Sequence, residues 1–344
     1  MNEKIEKKEL AILRLLEKSD SPLTSSRLTE SLKTMGFEVS ERTTRHYCKE
    51  LDSRGLTENL GKRGRKITEF GRNELGSARV FDKVGFLSGR IDQLTYRMSF
   101  DLARKSGTVI ANISIVDADL LHRLVGQIQR VYASGYGLGR MMALFGPGER
   151  PGGIEVPPGM IGMATVCSIT LNGVLLAQGV PAHSKFGGLL EIRGGKPARF
   201  VEIIKYEGTS LDPLEIFIKG GMTNVLGAIE SGNGRIGVGF RELPADSRAH
   251  VLKLNGKLEK AGLGGFMLIG WPGQPLLEVP VNEGRIGAIV IGGLNPAATL
   301  EETGVKVGSR ALAGMIEYER FFNFTEMDDR INKLRESVGR RAEA

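Results

Sequence analysis

Apolar side chains recur through the first twenty residues at Ile5, Leu10, Ile12, Leu13, Leu15 and Leu16, with charges between them. That spacing predicts a one-faced helix over residues 4–19, stopped by Ser21-Pro22. Thr24 is placed to cap a second helix whose apolar face is Leu28, Leu32 and Met35. Gly36 follows where a C′ glycine relieves left-handed strain. Ser40 caps a third helix, from Glu41 to about Arg54, and Gly55 closes it. In that third helix Thr44, Tyr47, Cys48 and Leu51 fall at i, i+3, i+4 and i+7, a stripe suited to burial. Arg42, Arg45, His46 and Lys49 repeat the same spacing on the opposite face.

A helix with a core stripe and a basic outer stripe suits a DNA major groove, where arginine forks onto guanine edges and lysine meets phosphate. Alone, such a stripe is better read as a solvated charged face. The next segment tilts the choice. TENLGKRGRKIT (57–68) alternates loosely around a turn, with Gly61 and Gly64 at its tip and Lys62, Arg63, Arg65 and Lys66 packed into it. This reads as a two-stranded wing that presents charge to the DNA backbone or minor groove. Three short helices, a basic third helix and a basic hairpin, in that order, predict a winged helix-turn-helix that binds double-stranded DNA. The candidate contacts are Ser40, Arg42, Thr43, Arg45, His46, Lys49, Lys62, Arg63, Arg65 and Lys66.

Beyond residue 90 the period changes. Leu94, Tyr96, Met98 and Phe100 alternate with polar residues, and Val109, Ala111, Ile113 and Ile115 alternate again after Lys105-Ser106-Gly107. The pattern predicts a hairpin over 93–116, then a helix from Asp117 to about Ala133. From there the chain repeats itself about 125 residues later. DADLLHRLVGQIQRVYASGYG (117–137) resembles PADSRAHVLKLNGKLEKAGLG (244–264), and MALFGPG (142–148) resembles MLIGWPG (267–273). EVPPGMIG (155–162), Leu171-Asn172 and HSKFGGLLE (183–191) each find a counterpart in the same order, ending at GSRALAGMIE (308–317). The repeat covers about 108–206 and 236–324. A period this long predicts two homologous α/β halves about a pseudo-two-fold axis, with a cleft between them for a small molecule. The fold class expected is α+β: an N-terminal winged helix-turn-helix (1–78), a linker (79–90), an internally duplicated, two-lobed α/β regulatory domain (91–324) and a charged C-terminal tail (325–344).

Composition adds a little. The chain of 344 residues has 41% hydrophobic and 25% charged residues, enough for real cores and no sign of wholesale disorder. Of its 47 glycines only six lie in residues 1–80, so the second domain is turn-rich. The net charge is +7, and residues 1–80 alone hold 17 Lys+Arg against 13 Asp+Glu, a polyanion-binding bias. Two cysteines, Cys48 and Cys167, without a CxxC or Cys/His cluster, give no metal site and fit a reducing compartment. The charged N-terminus has no apolar signal region, and no apolar run approaches the roughly 20 residues that span a bilayer. A cytoplasmic protein with no membrane association is expected.

Catalytic signatures are missing. The sequence holds no HExxH, GxSxG, Walker or dinucleotide fingerprint, and the GxGxG at 135–139 follows a helix, where a turn is the better reading. No cofactor is expected. His122 and His250 occupy matching repeat positions and read as structural. His183 in a loop, Ser184-Lys185 and the repeat-related Ser309-Arg310 are the candidates for an effector, since paired cations and hydroxyls suit a dicarboxylate. A single winged helix makes few base contacts, so paired half-sites and a homodimer are expected.

Long stretches of the second domain resemble one family. VGFLSGRIDQLTYRMSFDLARKSGTVIANISIVD (84–117), GPGERPGGIEVPPGMIGMATVCSITLNGVLL (146–176) and VNEGRIGAIVIGGLNP (281–296) resemble the archaeal nitrogen-regulatory repressors called NrpR, whose layout also begins with a winged helix. The resemblance extends to about residue 324. It implies a homodimeric repressor at palindromic operators of nitrogen-assimilation genes, released when 2-oxoglutarate binds the regulatory domain. Some members carry two tandem regulatory domains and this chain carries one. The resemblance therefore also allows a DNA-binding subunit that senses through a second NrpR-domain protein. An enzyme with an accessory winged helix is the remaining alternative.

Overall fold

The computed structural model describes residues 7–19, 21–72, 75 and 86–342. The chain divides into two compact units, residues 1–84 and 85–344. In the first, α1 (Lys7–Lys18), α2 (Ser25–Thr34) and α3 (Glu41–Ser53) follow the predicted periods. Their starts are set by side-chain caps: Thr24 Oγ1 accepts from Arg27 N–H, and Ser40 Oγ accepts from Thr43 N–H at 3.1 Å. Ile12, Leu13, Leu28, Leu32, Cys48 and Leu51 close one apolar core. The short strands β1 (Thr57–Asn59) and β2 (Arg65–Ile67) pair antiparallel. Leu23 joins them by exchanging two 2.9 Å backbone bonds with Arg65. Gly64 turns the chain at φ 103°, and a Cβ there would lie 2.5 Å from the Leu23 carbonyl carbon, so no other residue fits.

The second unit opens with a correction. The segment predicted as the first strand of a hairpin, and in part as linker, is α4 (Phe86–Arg97). Leu87, Ile91 and Leu94 are buried at i, i+4 and i+7, while Tyr96 is 83% exposed. The alternation of four apolar residues was a short coincidence, and the longer helical period prevails. Of the expected linker, residues 79–85 lie outside the described residues and 86–90 are helical.

The duplication appears as two β-α-β-β-α-β runs. The first is β3 (Thr108–Asp117), α5 (Ala118–Ala133), β4 (Met141–Phe145), β5 (Met160–Val166), α6 (Ile169–Ala177) and β6 (His183–Arg193). β7 (Lys196–Lys205) and the short helices α7 (Pro213–Lys219) and α8 (Val225–Ser231) lead to the second run. That run is β8 (Gly234–Pro244), α9 (Arg248–Lys260), β9 (Phe266–Ile269), β10 (Arg285–Ile291), α10 (Asn295–Glu302) and β11 (Gly308–Glu317). β12 (Phe322–Asn323) and α11 (Met327–Ala342) finish the chain.

Each run gives away its last strand. The two antiparallel sheets have the orders β7-β6-β8-β10-β9 and β11-β3-β5-β4-β12. β6 therefore completes the sheet of the second run, and β11 that of the first. The two lobes are interleaved, and Leu121 and Met163 share one apolar cluster with Phe240, Ile289 and Ala297. The segment set apart as a charged tail belongs to this body. Met327 and Ile331 on α11 are fully buried, Leu334 packs beside them, and Arg335 reaches Asp119 at 2.7 Å. Three apolar residues at i, i+4 and i+7 suffice to dock a helix against α5.

Candidate nucleic-acid interface and effector-site residues

Burial of Thr44, Cys48 and Leu51 fixes the rotation of α3, so Arg42, Arg45, His46 and Lys49 face solvent. The face is less cationic than its sequence. Arg45 pairs with Glu41 at 2.6 Å and His46 Nε2 stands 3.6 Å from Glu50. Both pairs are exposed i,i+4 pairs of the kind worth about 0.2–1 kcal/mol, so a phosphate or guanine can displace them cheaply. Arg42 and Lys49 have no ion pair among the described residues. Ser40 and Thr43 share a 2.8 Å hydroxyl contact as they cap the helix. Both stand at the amino end of α3, where N–H groups favour phosphate.

In the wing, Lys62 and Arg63 ride an exposed turn (Gly61–Arg63) at the tip. Lys66 is exposed and within 3.1 Å of Glu58. Arg65 departs from the expectation of a DNA contact. It is 8% exposed, and its Nε holds Asp52 at 2.9 Å while Nη1 reaches Ser25. Its place in an alternating strand turns it inward, where it ties α2, α3 and the wing together. Asp52 also accepts from the Thr57 hydroxyl at 2.6 Å.

The effector candidates separate into two groups on two sheets. At the start of β6, His183 lies 3.7 Å from Glu207, Ser184 accepts from Asn172 Nδ2 at 2.9 Å, and Lys185 lies 3.9 Å from the buried Glu242. At the start of β11, Ser309 shares a 2.9 Å contact with Ser114, and Arg310 is exposed. No hydrogen bond or ion pair among the described residues links the two groups. Two open grooves of about 720 Å³ each are lined by other residues: one carries Lys105, Lys257 and Lys260, the other Arg90, Arg97 and Arg150.

Sequence reasoning passed over a buried polar cluster between the sheets. Arg241 on β8 is 1% exposed. Its Nη2 donates to Ser168 O at 2.8 Å and to Ser168 Oγ at 3.1 Å, while Nε and Nη1 are buried without a partner. Around it stand Cys167, Tyr206 and Asp212. Burial pushes the Cys167 thiol up to about 12 and raises the Tyr206 phenol well above its usual range. It pushes the Asp212 carboxyl up to about 7, against the bond it accepts from Leu214 N–H. The signal was available in the repeat: the ladder sets Arg241 opposite Ser184, as it sets Ser114 opposite Ser309. One half has a cation where the other has a hydroxyl.

Comparison with known proteins bears on both units. A family model described as NrpR regulatory domains NRD1 and 2 matches residues 84–323, and one described as the Ribonuclease R winged-helix domain matches residues 10–75. The global nitrogen regulator NrpRI of Methanosarcina mazei is 35% identical over 93% of this chain and 98% of its own length. The global nitrogen regulator NrpR of Methanococcus maripaludis is 28% identical over 86% of this chain, which spans 51% of that protein. A solved structure of a nitrogen repressor-like protein from Methanococcus jannaschii is 28% identical, covers 69% of this chain and superposes with a TM-score of 0.57. Among the described residues no helix is long and apolar enough to cross a membrane. With the regulatory-domain match spanning most of the chain and a relative aligned over nearly its whole length, the chain belongs to the NrpR family of nitrogen regulators, with a winged helix at its N-terminus.

Proposed function

We propose that this chain is a cytoplasmic, sequence-specific DNA-binding repressor of nitrogen-assimilation genes, active as a homodimer and released from its operators by 2-oxoglutarate. The observation that carries the DNA-binding part is the solvent-facing row Arg42, Arg45, His46 and Lys49 on α3, beside a wing tipped by Lys62 and Arg63, in a chain whose other unit is an NrpR regulatory domain. Arginine and histidine on α3 read base edges, and the wing lysine and arginine neutralise phosphate. The chain is read as a regulator and not as an enzyme.

The effector part is supported by the family and by the two repeat-related cation–hydroxyl pairs, Ser184-Lys185 and Ser309-Arg310. Their separation onto different sheets argues that they do not jointly hold one small ligand. A mobility-shift titration on the promoter of a nitrogen-assimilation gene tests the reading: specific retardation, lost at millimolar 2-oxoglutarate, is expected. Equal affinity for a scrambled duplex overturns it.

One observation favours a second reading. The chain spans about half of the relatives from Methanococcus maripaludis and Methanocaldococcus jannaschii but nearly all of the one from Methanosarcina mazei. A protein with a single regulatory domain can depend on a second NrpR-domain protein for sensing. In that case purified chain binds operator but ignores the effector until the partner is added.

A further inference from the structure

The duplication supplies its own comparison, because α5 and α9 are the same helix of the two runs. Asp117 ends β3 as Pro244 ends β8, and Gly135 and Gly262 follow the two helices with left-handed φ of 75° and 70°. That register sets Asp119 against Asp246, Val125 against Leu252, Gln129 against Gly256 and Tyr132 against Glu259.

The matched faces differ in what covers them. On α5 the face lies under the C-terminal helix α11. Val125 is 6% exposed and shares a cluster with Met327, Ile331 and Leu334. Tyr132 stacks on Phe324 at 5.2 Å, and Arg335 donates to Asp119 at 2.7 Å. On α9 the face is open: Leu252 is 44% exposed, and Ala249, Lys253 and Gly256 around it are exposed too.

The adjoining loops repeat the contrast. Gly146 precedes Pro-Gly in the first run, and a Cβ there would lie 3.5 Å from Leu334 Cδ2 of α11. Trp271 precedes Pro-Gly in the second run and is 58% exposed. Arg248, one turn before Leu252, stacks over the Trp271 ring at 3.6 Å while its Nε donates to Gly270 O at 2.8 Å. The indole is thus held beside Leu252 on the surface. Farther along this loop Leu277 and Glu278 have left-handed φ of 47° and 66°, whereas the matching Ile154 has an ordinary φ of −94°. Such backbone persists mainly where function retains it. An exposed tryptophan and leucine beside an arginine are side chains that carry binding energy where proteins meet.

Charge says what kind of helix fits. α9 carries Arg248, Lys253, Lys257 and Lys260 against Glu259. Lys253 and Lys257 have no ion pair among the described residues. Lys257 and Lys260 also border the groove of about 720 Å³ that holds Lys105, so positive charge continues past the end of the helix. A second α9 laid on this face would set like charge on like, which argues against another copy of this chain. An acidic helix gains where a copy loses. α11 supplies the direction, since it runs from the Tyr132 end of α5 to the Asp119 end. A helix in the matching place begins near Lys257 and Lys260, and acidic residues suit a first turn on their own account.

We propose that Leu252 and Trp271, rimmed by Lys253 and Lys257, form a docking site for an amphipathic helix of another protein, one with acidic residues in its amino-terminal half. Its apolar row at i, i+4 and i+7 covers Leu252 and Trp271 as Met327, Ile331 and Leu334 cover α5. The site is independent of the DNA and effector readings and its failure leaves both standing.

The test follows the emission of Trp271, the one tryptophan of the chain, in full-length protein. The probe is a synthetic peptide of the length of α11, with leucines at i, i+4 and i+7 and acidic residues in its first half. A saturable blue shift at micromolar peptide is expected, because docking takes the indole out of water. The same peptide with lysine at each acidic position should give no shift. Lys253→Glu with Lys257→Glu should weaken the acidic peptide about tenfold or more at an unchanged melting temperature, and should let the lysine peptide bind. No shift with the acidic peptide, or equal shifts with both peptides, overturns the proposal. So does a wild-type dimer that Leu252→Glu dissociates in sedimentation, which gives the face to a second copy. A shift produced by scrambled duplex DNA and lost in the double lysine variant gives it to phosphate and overturns the proposal as well.

Discussion

Arg45 and Arg65 are both basic residues within 21 positions of each other, and the structure gives them opposite work. Arg45→Ala removes a solvent-facing donor from the exposed basic face of α3, proposed above to meet the major groove. It should weaken operator binding by about 1–3 kcal/mol while leaving scrambled DNA nearly unaffected. Lys62→Ala, at the wing tip, should weaken both about equally, and fluorescence anisotropy on the two duplexes separates the patterns. Arg65→Ala should act on stability, because Asp52 is left half-buried with its main partner gone. A loss of about 1–3 kcal/mol in chemical denaturation is expected. Asp212 supplies a pH test. Burial holds its carboxyl near 7, far above an unfolded aspartate. The folded state therefore binds the proton more tightly, and stability falls as pH rises from about 4 to about 7 and is level above. Asp212→Asn should flatten that slope, gaining most over wild type at pH 8 and least near pH 4. The exposed basic face of α3 was legible because its buried partner stripe has the same period. Arg65 was not, because a hairpin of three-residue strands gives the period of two too few positions to say which side faces inward.

At the level of elements, the caps at Thr24 and Ser40, the wing and the helix after Asp117 follow from local chemistry that needs no knowledge of the rest of the chain. Two elements do not. α4 carries both a four-residue alternation and a helical stripe, and only packing of Leu87, Ile91 and Leu94 beneath the shifted part of β11 decides between them. α11 looks like a solvated tail because its apolar residues are few, yet Ile331 is fully buried among residues of both halves. Ile331→Ala should cost about 2–5 kcal/mol in denaturant unfolding, as for a core aliphatic. A change under half of that would mean that α11 frays from the body in solution. The duplication was visible as ordered matches about 125 residues apart. The exchange of β6 and β11 between the sheets was not, because matched segments say which strands are alike and nothing about which ones pair.

The whole molecule couples an N-terminal winged helix, proposed to read DNA, to an interleaved pair of half-domains with a buried, incompletely bonded Arg241 between their sheets. Interleaving means that each run supplies the last strand of the other's sheet, so a displacement in one half is shared with the other. To act as a switch the effector must favour the DNA-incompetent form, and a hundredfold preference, about 2.7 kcal/mol, empties a moderately occupied operator. Two winged helices are needed for two half-sites, so sedimentation at micromolar concentration should show a dimer. The most direct measurement is anisotropy of a labelled operator duplex titrated with purified chain at fixed salt, repeated at millimolar 2-oxoglutarate. The account predicts binding at least a thousandfold tighter than to scrambled DNA, falling about tenfold or more with effector. Binding that does not distinguish the two duplexes, with or without 2-oxoglutarate, would contradict it.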